Sequence, residues 1–255
     1  MDIDLSADEI QRYSRHILLH ELGGKGQMAL KESSVLVIGV GGLGSAVALY
    51  LAAAGVGRIG LIDNDVVDIS NLQRQVLYDT ASIGKKKVSL AAQKLTALNP
   101  QVRIDVWDIR LETTVALDII QQYDLVCDGS DNFETRYNVN AGCVYSCKPL
   151  IVAAVQEFRG QITAFQPKQG CYHCIFPQEE GRVEALTCSQ SGVLGAVVGV
   201  MGTLQATEAI KELTGIGTSL VGRLLCFDAL AMRVSEVPVS LDPYCSVCKS
   251  EFMRK

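Results

Sequence analysis

The sequence predicts an α/β protein: a mostly parallel, twisted sheet with helices on both faces and an antiparallel C-terminal extension. Three observations predict it. The apolar run Val35–Ile38 leads directly into a glycine-rich turn and an Ala/Leu-rich helical stretch. Apolar runs and helical stretches then alternate to about residue 155. Beyond that point Gly160–Gln166 alternates with a period of two, as an antiparallel strand does.

The elements follow in order. Asp8–Leu19 reads as a helix that must pack over something. Val35–Ile38 holds no polar residue, as expected of a strand covered on both faces. Leu43–Ala54 is helical and stops at Gly55 and Gly57. Arg58–Ile62 is a strand ending at Asp63, and Lys85–Leu98 is a helix closing at Asn99-Pro100. Val102–Trp107 is a strand, Glu112–Gln122 a helix, Leu125–Cys127 a short strand, Asn132–Ser146 a helix and Leu150–Val155 a strand. A cysteine-rich loop precedes the long apolar helix Val193–Leu213, and strands lie near Arg223–Phe227 and Met232–Glu236.

Composition narrows the function classes. With 255 residues, 48% apolar and 20% charged, the chain is neither disordered nor of low complexity. The net charge is −5, and the longest basic run is Lys85-Lys86-Lys87, which argues against nucleic acid as a partner. The acidic start, Met1–Leu5, has no basic and apolar leader pattern, so a cytoplasmic protein is expected. Ala185–Thr207 carries no charge, but its hydroxyl and amide side chains and four glycines favour a buried helix over a membrane span. A reducing cytosol disfavours disulfides, so the nine cysteines need another explanation.

Gly39-Val40-Gly41-Gly42-Leu43-Gly44 is a G-x-G-x-x-G turn between a strand and a helix. There the first glycine makes the turn, the second lets backbone N–H groups approach a phosphate, and the third packs helix on strand. The helix N-terminus adds partial positive charge. Asp63, at the end of the next strand, can accept bonds from ribose hydroxyls. The turn alone leaves NAD, FAD and ATP open. Ser70-Asn71-Leu72-Gln73-Arg74-Gln75 follows the second strand at the carboxyl edge of the sheet, and Ser70 is counted with the nucleotide contacts. Arg74 and Lys87 can reach phosphate, and Asp128, Ser130 and Asp131 follow the fourth strand at the same edge. A carboxylate beside a triphosphate suggests Mg²⁺. One Arg, one Lys and one Asp around a glycine turn fit phosphoryl or nucleotidyl transfer better than hydride transfer.

Cys171-Tyr172-His173-Cys174 and Cys245-Ser246-Val247-Cys248 form two C-x-x-C pairs. Four thiolates at this spacing fit a structural Zn²⁺, a four-cysteine staple, with a redox pair as the rival. His173 reads as a surface residue, and Cys127, Cys143, Cys147 and Cys226 as small core residues. Cys188, in a polar stretch before the long helix, is a candidate nucleophile or a structural helix-entry cysteine.

Together with Arg12–His16, Asp128–Asn132 and Gly199–Ala206, these motifs resemble, in order, those of the ThiF/MoeB/HesA family, bacterial relatives of ubiquitin-activating enzymes. The likeness spans nearly the whole chain and implies a single Rossmann-like domain, 1–255. Within it, 1–30 form an N-terminal helical arm, 31–155 the nucleotide-binding α/β part, and 156–255 the antiparallel and zinc-bearing part. It implies an ATP-dependent adenylyltransferase. The C-terminal glycine carboxylate of a ubiquitin-like sulfur carrier, of ThiS or MoaD type ending in Gly-Gly, attacks the α-phosphate, giving an acyl-adenylate and pyrophosphate. By the same resemblance Gly42 lies against the phosphates and Asp63 holds the ribose. Asn71, Arg74 and Lys87 bind the triphosphate and Asp131 binds Mg²⁺. Arg15 reaches the active site of the neighbouring subunit in a homodimer, cysteines 171, 174, 245 and 248 hold zinc, and Cys188 matches a cysteine that links to the carrier or its sulfur. Gln73–Leu77, Gly170–Cys174 and Gly192–Gly195 are closest to the thiamine-type members. The molybdopterin-synthase activators, members serving cysteine synthesis or tRNA thiolation, and a partner sulfurtransferase stay in view. Outside the class stand an NAD(P)-dependent oxidoreductase and a non-catalytic carrier-binding module. The chain departs from the family in having Lys86 where a proline is usual, and in its Ser189-Gln190-Ser191 loop.

Overall fold

The computed structural model describes residues 5–111, 113–178 and 192–249. One eight-stranded sheet runs through it, in the order β3-β2-β1-β4-β5-β6-β7-β8. β1 (Ser34–Ile38) is central and buried along its whole length. It pairs in parallel with β2 (Arg58–Ile62) and β4 (Leu125–Asp128), and β3 (Arg103–Trp107) and β5 (Leu150–Gln156) extend the parallel part. β6 (Arg159–Phe165), β7 (Arg223–Asp228) and β8 (Arg233–Pro238) continue it antiparallel.

Period-two alternation along β1 divides the core. Val35 and Val37 face α3 (Gly23–Glu32), α4 (Gly42–Ala54), α5 (Lys87–Leu98) and α9 (Gly195–Thr214). Leu36 and Ile38 face α6 (Thr113–Ile120), α7 (Phe133–Tyr145) and the short α8 (Tyr172–Ile175). Helices therefore cover both faces, which is why β1 needs no polar residue. α9 crosses α4 closely: a Cβ on Gly202 would lie 2.8 Å from both Ala46 Cβ and Leu43 O. Gly55, at φ +82°, ends α4 and Gly215, at φ +70°, ends α9.

Several boundaries differ from expectation, each for a tertiary reason. The expected helix Asp8–Leu19 is two pieces, α1 (Ala7–Arg12) and α2 (Ser14–Ile17). Tyr13 breaks it, because its ring lies against Gly55 and its hydroxyl accepts a hydrogen bond from Asn99 Nδ2 at 2.7 Å. α5 starts at Lys87, not Lys85. Lys85 and Lys86 run antiparallel to Asp65–Val67, with Val67 N–H donating to Lys85 O and Lys87 N–H to Asp65 O. Lys86 sits at φ −63°, the value a proline would take, so the departure from the family leaves the turn intact. Cys147, expected in the core, is exposed at the end of α7 with φ 52°, whereas Cys127 and Cys143 are buried. Among the described residues no helix is long and apolar enough to cross a membrane.

Candidate functional site

On either side of β1 the chain moves outward, to β2 and to β4, so the carboxyl ends of β1 and β4 open a crevice. The G-x-G-x-x-G turn lies there. Gly39 takes φ +76° and its N–H donates to Ile62 O. A Cβ on Gly39 would press on Gly129 O at 3.3 Å, so the turns after β1 and β4 touch. A Cβ on Gly44 would sit 1.8 Å from Gly39 O, so the third glycine packs helix on strand as the spacing predicts. α4 begins at Gly42 and points its free N–H groups into the crevice.

The crevice is a cavity of about 680 Å³ that runs from the glycine turn to β6. Asp63, Arg74, Lys87 and Asp131 all line it, as do Gly39, Gly41 and Gly42. Asp63 is fixed by two backbone donors, Val40 N–H at 2.8 Å and Asp65 N–H at 2.9 Å. Burial pushes its carboxyl above the ordinary range, against the pull of those bonds and of Lys87. Lys87 is buried to 5% exposure, and its Nζ meets Asp65 at 2.9 Å. Arg74 Nη1 donates to Ser70 O at 2.9 Å, and its stem runs beside Gly42. Tyr78 donates to Val40 O at 2.8 Å and props the turn from below. Asp131 is exposed at the rim, while Asp128 is buried and accepts from Ser130 N–H at 2.9 Å. Burial raises the Asp128 carboxyl.

Three buried polar side-chain atoms at this cavity are left without protein partners among the described residues. Gln75 Oε1, Ser130 Oγ and Thr163 Oγ1 line it or face it from buried residues, and none has a hydrogen-bond partner among the described residues. Buried polar groups are ordinarily paired, so these point to a polar ligand. With the glycine turn and two cations they fit a nucleotide phosphate chain.

Other expected residues lie elsewhere. Gly44 is consumed in packing. Ser70 Oγ donates to Asp68 at 2.6 Å and Asn71 Oδ1 accepts from Asp68 N–H at 3.3 Å, so both shape the turn before Arg74 and neither lines the cavity. Arg15, on α2, sits near the Gly55 end of α4, about 20 Å along that 13-residue helix from the glycine turn. Cys188 lies outside the described residues. Arg136, Asp65 and Thr163 were not expected. Arg136 follows the α7 cap Asn132 by four residues, a spacing that puts it back over the Ser130 turn.

A second cluster joins the two C-x-x-C pairs. The sulfurs of Cys171, Cys174, Cys245 and Cys248 all lie within 4.8 Å of one another, with Cys171–Cys174 at 3.9 Å, Cys171–Cys245 at 3.7 Å and Cys174–Cys248 at 3.5 Å. Tetrahedral zinc with Zn–S near 2.3 Å requires S···S of about 3.8 Å, so this donor set fits the ion and leaves no open position. Burial pushes the Cys171 thiol up to about 12, so a cation is needed to hold the cluster as thiolates. His173, expected at the surface, is half-buried, with Nδ1 3.8 Å from Cys245 Sγ.

Comparison with known proteins identifies the family and the fold. The profile of the ThiF family matches residues 13–247. The chain belongs to the ThiF family. A sulfur carrier protein adenylyltransferase from Thermus thermophilus is 44% identical over 96% of this chain and 92% of its own. Adenylyltransferase and sulfurtransferase MOCS3 from Sus scrofa is 48% identical over 96% of this chain, which spans 54% of that protein. Escherichia coli MccB, solved with ATP, superposes with a TM-score of 0.83 at 26% identity, over 95% of this chain and 75% of that one. This ThiF-family chain is an enzyme of the adenylyltransferase class.

Proposed function

We propose that this ThiF-family chain activates the C-terminal glycine carboxylate of a small ubiquitin-like sulfur carrier with ATP, releasing pyrophosphate. The carrying observation is the near full-length likeness to a sulfur carrier protein adenylyltransferase, joined to a cavity that sets Arg74, Lys87 and Asp131 around a glycine turn. The thiamine-thiazole branch is the favoured pathway, on the motifs at Gln73–Leu77 and Gly170–Cys174. A molybdopterin-type carrier is the second reading, because half-length matches to MOCS3 stand at equal or higher identity.

The chemistry asks for positioning and charge neutralisation. The attacking carboxylate is already ionised, so no general base is needed. The barrier is the approach of one anion to a polyanion. α4 N–H groups, Arg74 and Lys87 hold the phosphates, and Asp63 holds the ribose. Asp131 would hold Mg²⁺, which supplies charge neutralisation on the phosphates. The reach of the cavity to Gln161 and Thr163 on β6 suits entry of an extended C-terminal tail. Arg15 acts on the neighbouring subunit's site in a homodimer, consistent with its distance from its own cavity. The four-cysteine cluster holds structural zinc. Cys188 takes part in covalent sulfur handling with a sulfurtransferase partner.

Asp131→Ala and Arg74→Ala are each expected to abolish adenylation while circular dichroism and melting stay those of the parent; full activity in either contradicts the assigned roles. Cys188→Ala is expected to form the adenylate and fail in sulfur transfer, and unchanged transfer makes it structural.

A further inference from the structure

Arg136 has no place in the scheme above. It lies on the first turn of α7, half-buried at the wall of the cavity. Its Nη2 donates to Ser130 O at 2.7 Å and reaches Ala153 O on β5 at 3.4 Å. It is the cation that faces Asp128, whose Oδ2 is buried without a hydrogen-bond partner among the described residues. One planar group thus ties the turn after β4 to the middle of β5.

We propose that Arg136 is a positioning residue: by holding Ser130 O against β5 it sets the Ser130–Asp131 backbone so that Asp131 can take magnesium. The inference rests on the magnesium role given to Asp131 above. Asp131 is exposed and no described hydrogen bond orients its side chain, so its aim comes from the adjoining peptide. That peptide's carbonyl, Ser130 O, is what Arg136 grips. The grip needs several donors in a plane. A lysine supplies the charge opposite Asp128 but cannot hold Ser130 O and Ala153 O together in one plane.

The test uses zinc-loaded Arg136→Lys, Arg136→Gln and Asp131→Asn proteins. Calorimetric titration with a non-hydrolysable ATP analogue, with Mg²⁺ and with Mg²⁺ chelated, separates the magnesium-dependent gain in affinity from bare nucleotide binding. For Arg136→Lys the gain is expected to shrink about tenfold or more, with bare binding and zinc content unchanged. For Arg136→Gln, which keeps a planar amide donor but neither the charge nor the second donor arm, it shrinks at least as much. Asp131→Asn should lose the gain altogether. An Asp131→Asn protein that keeps the gain overturns the magnesium assignment and the inference with it. If Asp131→Asn loses the gain and both other variants keep it, the inference alone is overturned. Equal weakening with and without Mg²⁺ also overturns it, because Arg136 would then touch the nucleotide directly. If Arg136→Lys does not fold, Arg136→Gln decides.

Discussion

Gly44→Ala is the sharpest perturbation of the nucleotide turn. The added Cβ would lie 1.8 Å from Gly39 O and 2.9 Å from Gly39 C, where ordinary contact begins at 3.4 Å. The shortfall is about 1.6 Å against backbone, so no side chain can swing away. α4 must lift off β1, and α4 carries Val47 and Leu51, both at 0% exposure. Overpacking against a soft neighbour costs about 1–3 kcal/mol, and against backbone the cost should reach at least about 3 kcal/mol. Urea unfolding should show the midpoint falling by about 1 M or more. Gly24→Ala, with nothing within 4 Å, is the control and should be neutral or slightly stabilising. Gly42→Ala meets Val198 Cγ1 at 2.6 Å, a side chain that can turn. Its stability cost should stay below about 1.5 kcal/mol while nucleotide affinity falls. A Gly44→Ala protein within about 1 kcal/mol of the parent would refute the reasoning, since the helix could then retreat freely.

Three further outcomes are expected. Asn99→Ala strands the Tyr13 hydroxyl and leaves the Ala52 carbonyl only the Gly55 N–H, both having been bonded by a side chain at 0% exposure, so urea unfolding should show a loss of about 1–3 kcal/mol. Burial pushes the Asp105 carboxyl up, but hydrogen bonds from Arg58, Tyr123 and Arg103 outweigh it and hold it below the ordinary carboxylate range. The unfolded chain therefore binds that proton more readily. The stability Asp105 contributes is complete above the ordinary range and is lost as pH falls through the lowered value. Asp105→Asn should flatten unfolding midpoints below about pH 5, and a pH slope equal to the parent's would discard the role. Cys245→Ser should lower zinc from about one per chain and reduce the melting temperature, and a fully folded, metal-free parent would rule out the staple.

What could be read in the sequence was local. The β1–glycine–α4 unit is legible because strand burial, turn chemistry and helix composition agree over twenty consecutive residues. The four-cysteine cluster was legible because each half carries its ligands three residues apart. α3 was hidden by Gly23, Gly24 and Gly26, which argue against a helix. It forms because Leu30 is fully buried and Gln27 donates to Ala54 O. The break at Tyr13 depends on Asn99 and Gly55, far along the chain. Lys87 was expected to be free for phosphate, but its pairing with Asp65 needed the antiparallel approach of residues 65–67 and 85–87. Arg136 escaped notice because its carbonyl partners, Ser130 and Ala153, come from separate segments, and only the folded sheet brings them to one guanidinium.

The central claim is that this cavity joins ATP to a carrier's C-terminal carboxylate. ATP–pyrophosphate exchange, with purified thiamine-type and molybdopterin-type carriers ending in Gly-Gly, tests it most directly. The account predicts exchange that requires a carrier, is strongest with the thiamine-type one and disappears when its terminal glycine is removed. Folded, zinc-loaded protein that gives no exchange with either carrier would contradict it.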